Sequence, residues 1–242
     1  MKRKKFKLIA FDLGYTLAYN RREEYYMKFL EQEGVSIPRK KVDMAYHLAD
    51  KTFMREFHGV LGRPRETYMP WYIGLVNYFL NKKFDILKQV NFIYEQSNEV
   101  TDYWQPFPWT VKVLETLKNQ GYRLALLSNW DLSCRAVLKQ IGVYDYFEHI
   151  LVSSEVQISK PDARIFQKLI ELSDCRPDEI LYVGDNYYDD VIGARKAGID
   201  TVLINRFGGE GIDEIDYEPL VEDTFGLIEW LVSGMLKNNM KP

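Results

Sequence analysis

Residues 7–17 read Lys-Leu-Ile-Ala-Phe-Asp-Leu-Gly-Tyr-Thr-Leu, and this stretch decides the fold. A short apolar run ends on Asp12, and Gly14 and Thr16 follow closely. A continuous apolar run is typical of a parallel strand that is buried on both faces. Asp12 would then lie at the carboxyl end of that strand, where open α/β sheets collect functional side chains. From this stretch alone, Asp12 is either a catalytic or metal-binding carboxylate or an ordinary cap of the following turn.

The composition favours a globular protein with a buried core. The chain has 242 residues, of which 46% are hydrophobic and 28% are charged, which suits one large domain or a core with a smaller second domain. The net charge of −3 argues against a general nucleic-acid partner. No apolar run approaches the roughly 18 residues of a membrane span, and the N-terminal apolar stretch is too short for a signal peptide. We therefore expect a cytoplasmic protein with no membrane or nucleic-acid partner.

From about residue 106 onward, predicted strands and helices alternate. After the first strand, the apolar runs predict strands at 123–128, 149–153, 180–184 and 201–205. Helical periodicity predicts helices at 109–120, 132–141, 163–172, 189–197 and 224–235. This alternation is typical of a Rossmann-like α/β core, in which helices cover both faces of a parallel sheet.

Residues 18–105 have a different sequence pattern, which predicts no clear strand. Their periodicity predicts four helices, at 21–33, 40–57, 66–81 and 85–104. The segment is rich in aromatic residues, and their helical spacing favours a bundle core over a substrate surface. We therefore expect two domains: an α/β core formed by 1–17 and 106–242, and a smaller, all-helical domain formed by 18–105.

Three further segments place polar residues directly after predicted strands or in a loop between them. Because the carboxyl ends of parallel strands meet at one edge of a sheet, we expect these side chains to approach Asp12. Carboxylates are ligands that Mg²⁺ prefers, a lysine offsets their charge, and hydroxyl or N–H groups bind phosphate oxygens. The residues are Ser128 and Asn129; Lys160, Pro161 and Asp162; and Gly184, Asp185, Asn186, Asp189 and Asp190.

Each of these segments also has an ordinary structural explanation. Ser128 and Asn129 could cap the next helix, although Asp131 competes for that position. Asp189 and Asp190 could be acids that a helix dipole favours near its N-terminus. A Lys-Pro pair alone is usually part of a surface loop. The four segments in this order, each in a suitable strand or loop, favour the functional interpretation.

In order, the segments FDLGYTL, LALLSN, SKPD and LYVGDNYYDD resemble the four signature motifs of the haloacid dehalogenase superfamily. That superfamily consists mostly of magnesium-dependent phosphatases. The resemblance covers about residues 1–17 and 106–206. It implies a Rossmann-like core, a helical cap domain inserted after the first motif, and a small phosphorylated molecule as the substrate. It also implies that Asp12 attacks phosphorus to form an aspartyl-phosphate.

The resemblance also assigns roles to individual residues. It implies that Mg²⁺ is bound by Asp12, the backbone carbonyl of Gly14 and Asp185, and that Asp190 tethers metal-bound water. Asp189 is the alternative to Asp190. Lys160 is expected to act in catalysis and, as a member of the substrate-binding set, to contact the phosphate together with Thr16, Ser128 and Asn129.

The first motif departs from the common phosphatase pattern. That pattern has a second aspartate two residues after the nucleophile, where this chain has Gly14. Losing a general acid and base typically lowers the rate by about 100- to 10,000-fold. Three hypotheses follow: a slow or leaving-group-dependent phosphatase, a 2-haloacid dehalogenase-like hydrolase, and a non-catalytic module that binds metal or ligand. The oligomeric state is left open between monomer and homodimer.

Overall fold

The structure is a computed structural model that describes residues 6–98 and 103–239. The helix predicted at 85–104 therefore falls partly outside the described residues. The chain divides into two compact units. The core unit comprises Met1–Tyr19, Pro106–Gly208 and Asp216–Pro242, and the helical unit comprises Asn20–Gln105 and Gly209–Ile215.

The core unit contains a six-stranded sheet whose neighbouring strands are all parallel. From one edge to the other, its strands are β5 (His149–Val152), β4 (Arg123–Ser128), β1 (Leu8–Phe11), β6 (Ile180–Gly184), β7 (Asp200–Ile204) and β8 (Leu220–Val221). The side chains of β1 are completely buried, which requires cover on both faces of the sheet. The predicted Rossmann-like α/β fold is confirmed.

Helices follow the strands of the core as the alternating pattern predicted. One buried cluster joins Leu8 and Ala10 of β1 to the apolar residues of the helix at 163–173. The stretch predicted as a helix from 189 instead begins with a π turn, Tyr187–Val191, and becomes α-helical only at Ile192. The core helices are α5 (Thr110–Asn119), α6 (Cys134–Gln140), α7 (Ser153–Val156), α8 (Ala163–Ser173), α9 (Ile192–Lys196) and α10 (Thr224–Asn239).

The helical unit is built from four helices around its own apolar cluster. Tyr25, Tyr26, Tyr46 and Tyr72 are among its fully buried aromatic side chains. Two three-residue strands, β2 (Ala18–Asn20) and β3 (Trp104–Pro106), pair where the chain enters and leaves the unit. No strand was predicted there. The helices are α1 (Arg22–Gln32), α2 (Arg39–Glu56), α3 (Met69–Phe79) and α4 (Ile86–Asn98).

A segment remote in sequence completes the helical unit. Residues 209–215 follow β7 of the core, yet they pack on α2. The Glu210 carbonyl lies 2.9 Å from His47 Nε2, and Glu214 pairs with Arg55 at 3.1 Å. In the described parts of the chain, no helix has both the length and the apolar character that crossing a membrane requires.

Candidate active site

Asp12 lies directly after β1 and is almost completely buried, with 7% of its surface exposed. Its N–H donates to the Val183 carbonyl at 2.9 Å, which extends the ladder between β1 and β6 by one residue. The carboxylate atom Oδ1 accepts hydrogen bonds from Ser128 Oγ at 2.8 Å and Lys160 Nζ at 2.7 Å. Oδ2 accepts none from the residues that the structure describes. One oxygen is therefore held in place, and the other remains available for a ligand.

The Lys160 ammonium lies at the centre of the site. Its Nζ atom is 2.7 Å from Asp12 Oδ1, 2.6 Å from Asp190 Oδ1 and 3.0 Å from the Tyr182 hydroxyl. An ammonium has three protons to donate, and these three acceptors match them. Lys160 therefore joins the first and fourth sequence segments through a fixed positive charge.

Asp190 has no exposed surface, and both of its carboxylate oxygens accept hydrogen bonds. Oδ1 accepts from Lys160, and Oδ2 accepts from the Asn186 N–H at 2.9 Å. Gly184 makes this placement possible, because a Cβ atom at that position would overlap the Asp190 carboxylate. Asp190 thus holds Lys160 in position.

Asn129 holds the backbone of Lys160 through its side chain. Its Oδ1 accepts from the Lys160 N–H at 2.8 Å, and its Nδ2 donates to the Lys160 carbonyl at 3.0 Å. The same Nδ2 lies 3.5 Å from Asp189 Oδ2. Neither Asn129 nor Asp131 caps α6: its N-cap is Ser133, and Asp131 Oδ1 accepts from the Ser133 N–H at 2.8 Å in the turn before the helix.

The loop between β1 and β2 turns tightly around Gly14 and Thr16. Tyr15 has a positive φ of 53°, and its N–H donates to the Ala18 carbonyl at 2.6 Å. The Ala18 N–H in turn donates to the Leu13 carbonyl at 3.0 Å. Thr16 is 1% exposed, and its Oγ1 has no hydrogen-bond partner among the described residues. The predicted phosphate-binding threonine is thus buried within the loop that follows Asp12.

The site holds more negative than positive charge. Four buried carboxylates, those of Asp12, Asp185, Asp189 and Asp190, accompany one buried ammonium, that of Lys160. Burial raises the pKa of Asp12, and the Lys160 charge opposes that rise. Burial also raises the pKa of Asp189 to about 7. For Lys160, burial alone would lower the pKa, but the charges of Asp12 and Asp190 raise it well above its ordinary value.

The sequence prediction missed Tyr182, which is fully buried in β6. Its hydroxyl donates to the Leu127 carbonyl at 2.7 Å and accepts from Lys160 Nζ at 3.0 Å. The available signal was a hydroxyl-bearing side chain inside an otherwise apolar strand, because a buried tyrosine hydroxyl usually finds a partner. The structure thus brings Asp12, Ser128, Lys160 and Asp190 together by direct contacts.

The core is a parallel α/β sheet, and a lysine ammonium is held between two aspartates near the carboxyl ends of its strands. Together these features define a class of hydrolase. The sequence profile described as haloacid dehalogenase-like hydrolase matches residues 9–204. That range covers most of the chain, and the chain belongs to this family.

Individual relatives agree with this assignment. The chain is 34% identical over 107 residues to glyceraldehyde 3-phosphate phosphatase of Methanothermobacter thermautotrophicus, covering 42% of this chain and 45% of that one. It is 27% identical over 220 residues to the mouse haloacid dehalogenase-like hydrolase domain-containing protein 3, covering 87% and 86%. The chain spans about half the length of several of the curated relatives it matches.

A solved structure shares the fold at low sequence identity. The putative HAD-hydrolase YfnB from Bacillus subtilis, bound to magnesium, aligns with a TM-score of 0.62 and 17% identity. The alignment covers 94% of this chain and 99% of that one. An identity this low supports the fold and says nothing about the substrate.

Proposed function

We propose that this chain is a magnesium-dependent phosphatase that hydrolyses a small phosphorylated molecule through an aspartyl-phosphate on Asp12. One observation carries the proposal: Oδ1 of Asp12 is held by Ser128 and Lys160, while Oδ2 receives no bond from the described residues. A nucleophile needs this combination of fixed orientation and an available lone pair. Burial raises the pKa of Asp12, and the Lys160 charge opposes that rise.

In the first step, Asp12 Oδ2 attacks phosphorus, and the bond from phosphorus to the leaving oxygen breaks. Lys160 and Ser128, which both contact Asp12, would stabilise charge on the phosphoryl oxygens, which is the main protein contribution in this chemistry. In the second step, water attacks the same phosphorus, and the bond from phosphorus to Asp12 breaks. The products are inorganic phosphate and the regenerated carboxylate.

The donor set fits a divalent cation. Among the described residues, no three His, Cys, Asp or Glu side chains gather into a metal cage. Mg²⁺ does not need one, because it binds through one or two carboxylates and keeps several waters. Asp12, Asp185 and the Gly14 carbonyl are the proposed ligands, with Asp190 tethering metal-bound water. When bound, the ion would neutralise phosphoryl charge and offset the excess of buried carboxylates.

Two similarities support the choice of metal and substrate class. The archaeal relative is named for its action on glyceraldehyde 3-phosphate, a small phosphate monoester, and the Bacillus subtilis structure is described as bound to magnesium. We carry both features to this chain as part of the proposal. The residues of the site agree with them, because they supply oxygen ligands, a fixed cation and a carboxylate nucleophile.

Gly14 sets a limit on the substrates that react well. Because Gly14 has no side chain, it cannot protonate the leaving oxygen, and that proton must come from water, from another residue or from the substrate. Leaving groups that are stable without a proton should therefore react faster. We expect aryl and acyl phosphates to be hydrolysed faster than alkyl phosphates, and equal rates across leaving groups of very different pKa would contradict this account.

The test is hydrolysis of p-nitrophenyl phosphate with and without magnesium. We expect activity only with the ion, and we expect Asp12→Asn to lower kcat by about 1,000-fold or more, as loss of a nucleophile does. The matched control is Asp131→Asn, which makes the same change at an aspartate whose carboxylate accepts from the Ser133 N–H in the turn before α6. Asp131→Asn should retain activity near that of the unchanged protein.

The same preparation separates the other two hypotheses. A dehalogenase would release halide from chloroacetate in the presence of a chelator. A non-catalytic module would hydrolyse neither compound, yet magnesium would raise its melting temperature. Either result would overturn the phosphatase proposal.

A further inference from the structure

Arg206 leaves the sheet at the edge that carries the candidate active site. It lies two residues beyond β7 and is exposed. β7 pairs with β6 in a register that sets Leu203 beside Gly184. If that register continues by one residue, Ile204 lies beside Asp185. Arg206, two residues further on, therefore lies just beyond the acidic end of β6. β7 is two strand spacings, about 10 Å, from β1 and its Asp12.

Two aromatic rings fix the position of the Arg206 guanidinium. Its Cζ atom lies 5.2 Å from the centre of the Phe107 ring and 5.8 Å from that of Phe207. Phe107 is tied to the loop that follows Asp12, because its N–H donates to the Leu17 carbonyl at 3.2 Å. The guanidinium therefore stacks on a residue that is hydrogen-bonded to the loop following Asp12.

The guanidinium also keeps its hydrogen-bonding capacity. Within residues 6–98 and 103–239, no carboxylate or carbonyl accepts a hydrogen bond from the Arg206 side chain, which stacks on the two rings. A guanidinium presents five donors in a planar fork that matches a carboxylate or a phosphate. Stacking on a ring restricts its motion without occupying those donors. Arg206 is thus a prearranged anion-binding group beside a site that otherwise has one buried cation, Lys160.

We propose that Arg206 is a specificity-determining residue that binds a second anionic group of the phosphorylated substrate, either a carboxylate or another phosphate. The inference rests on the proposed phosphatase function, because it concerns the substrate of the same site. The phosphate to be hydrolysed is bound at Asp12 and Lys160, and the second anion extends along the sheet edge towards β7. Hydrogen bonds to charged groups are strong enough to favour such a substrate by about 10- to 100-fold.

The test compares three esters. 2-Phosphoglycolate carries a carboxylate, 2-hydroxyethyl phosphate has a neutral hydroxymethyl group in its place, and ethane-1,2-diyl bisphosphate carries a second phosphate. We expect the unchanged protein to have a higher kcat/KM for at least one anionic ester than for the neutral one. Arg206→Gln should lower that ratio by about 10- to 100-fold. The ester that loses most identifies the second anion as carboxylate or phosphate.

Arg195→Gln is the matched control. Arg195 is also exposed and also stacks on a ring of the core unit, with its Cζ atom 5.4 Å from the centre of the Tyr217 ring. The substitution makes the same change in charge, so a general loss of positive charge would affect both variants equally. We expect Arg195→Gln to keep the original ratio. Arg206→Lys, which keeps the charge and loses the fork, should fall between Arg206→Gln and the unchanged protein.

A binding measurement separates failure of this inference from failure of the proposed function. Phosphonoacetate cannot be hydrolysed as an ester, and with magnesium it should raise the melting temperature more than neutral 2-hydroxyethylphosphonate does. Arg206→Gln should remove that difference. No preference for the anionic compounds in either assay, or equal effects of Arg206→Gln and Arg195→Gln, would overturn the inference. Arg206-dependent binding without hydrolysis of any ester would overturn the phosphatase proposal and retain the anion site.

Discussion

Tyr182 shows how one buried hydroxyl connects two strands to Lys160. The hydroxyl donates to Leu127 of β4 and accepts from Lys160. Burial raises the pKa of Tyr182 well above its ordinary value, so the hydroxyl keeps its proton and remains a donor. Its role is to position Lys160, which in turn contacts Asp12.

Tyr182→Phe should destabilise the protein. The change leaves the buried Leu127 carbonyl without its donor and removes one acceptor from Lys160, and such losses typically lower the free energy of unfolding by about 1–3 kcal/mol. Urea unfolding measures the effect. Tyr46→Phe is the control, because the Tyr46 hydroxyl is buried without a partner in the described structure. Equal destabilisation by both changes would show that the bonds of Tyr182 contribute nothing.

Gly14→Asp should restore a proton donor to the site. A general acid accelerates such steps by about 100-fold or more, so we expect a higher kcat for alkyl phosphates and little change for p-nitrophenyl phosphate. The measurement is kcat across esters with graded leaving groups. A folded, magnesium-binding Gly14→Asp variant with no gain on alkyl phosphates would count against our account of the missing acid.

At the residue scale, the sequence predicted which residues gather near Asp12, but it did not predict all of the contacts that each one makes. Asp12, Ser128 and Lys160 were expected to approach one another because polar residues at parallel strand ends share an edge. The side-chain bonds from Asn129 to the Lys160 backbone were not expected. They depend on the path of the loop around Lys160, which no local pattern specifies. The assigned metal ligands and phosphate contacts stay predictions.

At the element scale, the strands of the core were the most predictable part of the chain. The observed bounds of β4 and β6 are the predicted ones. Long apolar runs that are bounded by polar residues leave few alternatives for where a buried strand begins and ends. The π turn at Tyr187–Val191 was not predicted. There the Asn186 side chain accepts hydrogen bonds from the N–H groups of Tyr188 and Asp189. These side-chain bonds compete with regular helical bonds, and hydrophobic periodicity does not reveal them. β2 and β3 are too short to show any period.

Helix α8 provides a test of stability against pH. Asp162 caps it by accepting from the Arg164 N–H at 2.9 Å. The Arg164 side chain also bonds Asp162, and these contacts lower the pKa of Asp162 to about 2. A carboxyl whose folded pKa is lowered stabilises the protein above its unfolded pKa, and that stabilisation is lost as the pH falls through the folded value. The window is therefore about pH 4 to about pH 2.

We expect Asp162→Ala to lower the urea midpoint at neutral pH and to lower it less at about pH 3, where the unchanged protein has already lost part of the effect. Asp162→Asn is the control, because asparagine still caps a helix but carries no charge. The difference in urea midpoint between Asp162→Asn and the unchanged protein should also become smaller as the pH is lowered. If Asp162→Ala lowers the urea midpoint as much at about pH 3 as at neutral pH, the assigned pKa of Asp162 is contradicted.

At the scale of the whole molecule, the helical unit is not one continuous insertion. Residues 209–215 belong to it although they follow β7. Gly211 has a φ of +74°, and a Cβ atom there would lie 3.2 Å from Leu48 and Lys51 of α2. This association was not predicted, because it joins stretches more than 100 residues apart and the segment has no periodic pattern.

Gly211→Ala should weaken the attachment of this segment. The left-handed backbone conformation costs a residue with a side chain about 1–2 kcal/mol, and the close approach to α2 adds to that cost. Gly209→Ala is the control in the same segment, because Gly209 has no positive φ and open space around its Cβ position. Urea unfolding should show a loss for Gly211→Ala and a change within about 0.5 kcal/mol for Gly209→Ala. Equal effects would contradict this description.

The passage of 209–215 through the helical unit has a consequence for protein engineering. A chimera that exchanges only residues 20–105 would separate α2 from the Glu210 and Glu214 contacts and deprive the donor helices of seven accompanying residues. Recombination between homologues should therefore yield working hybrids more often when both stretches are inherited from the same parent. Natural exchange of such helical modules would face the same restriction, since a continuous stretch that transfers both pieces must also carry residues 106–208 of the core unit.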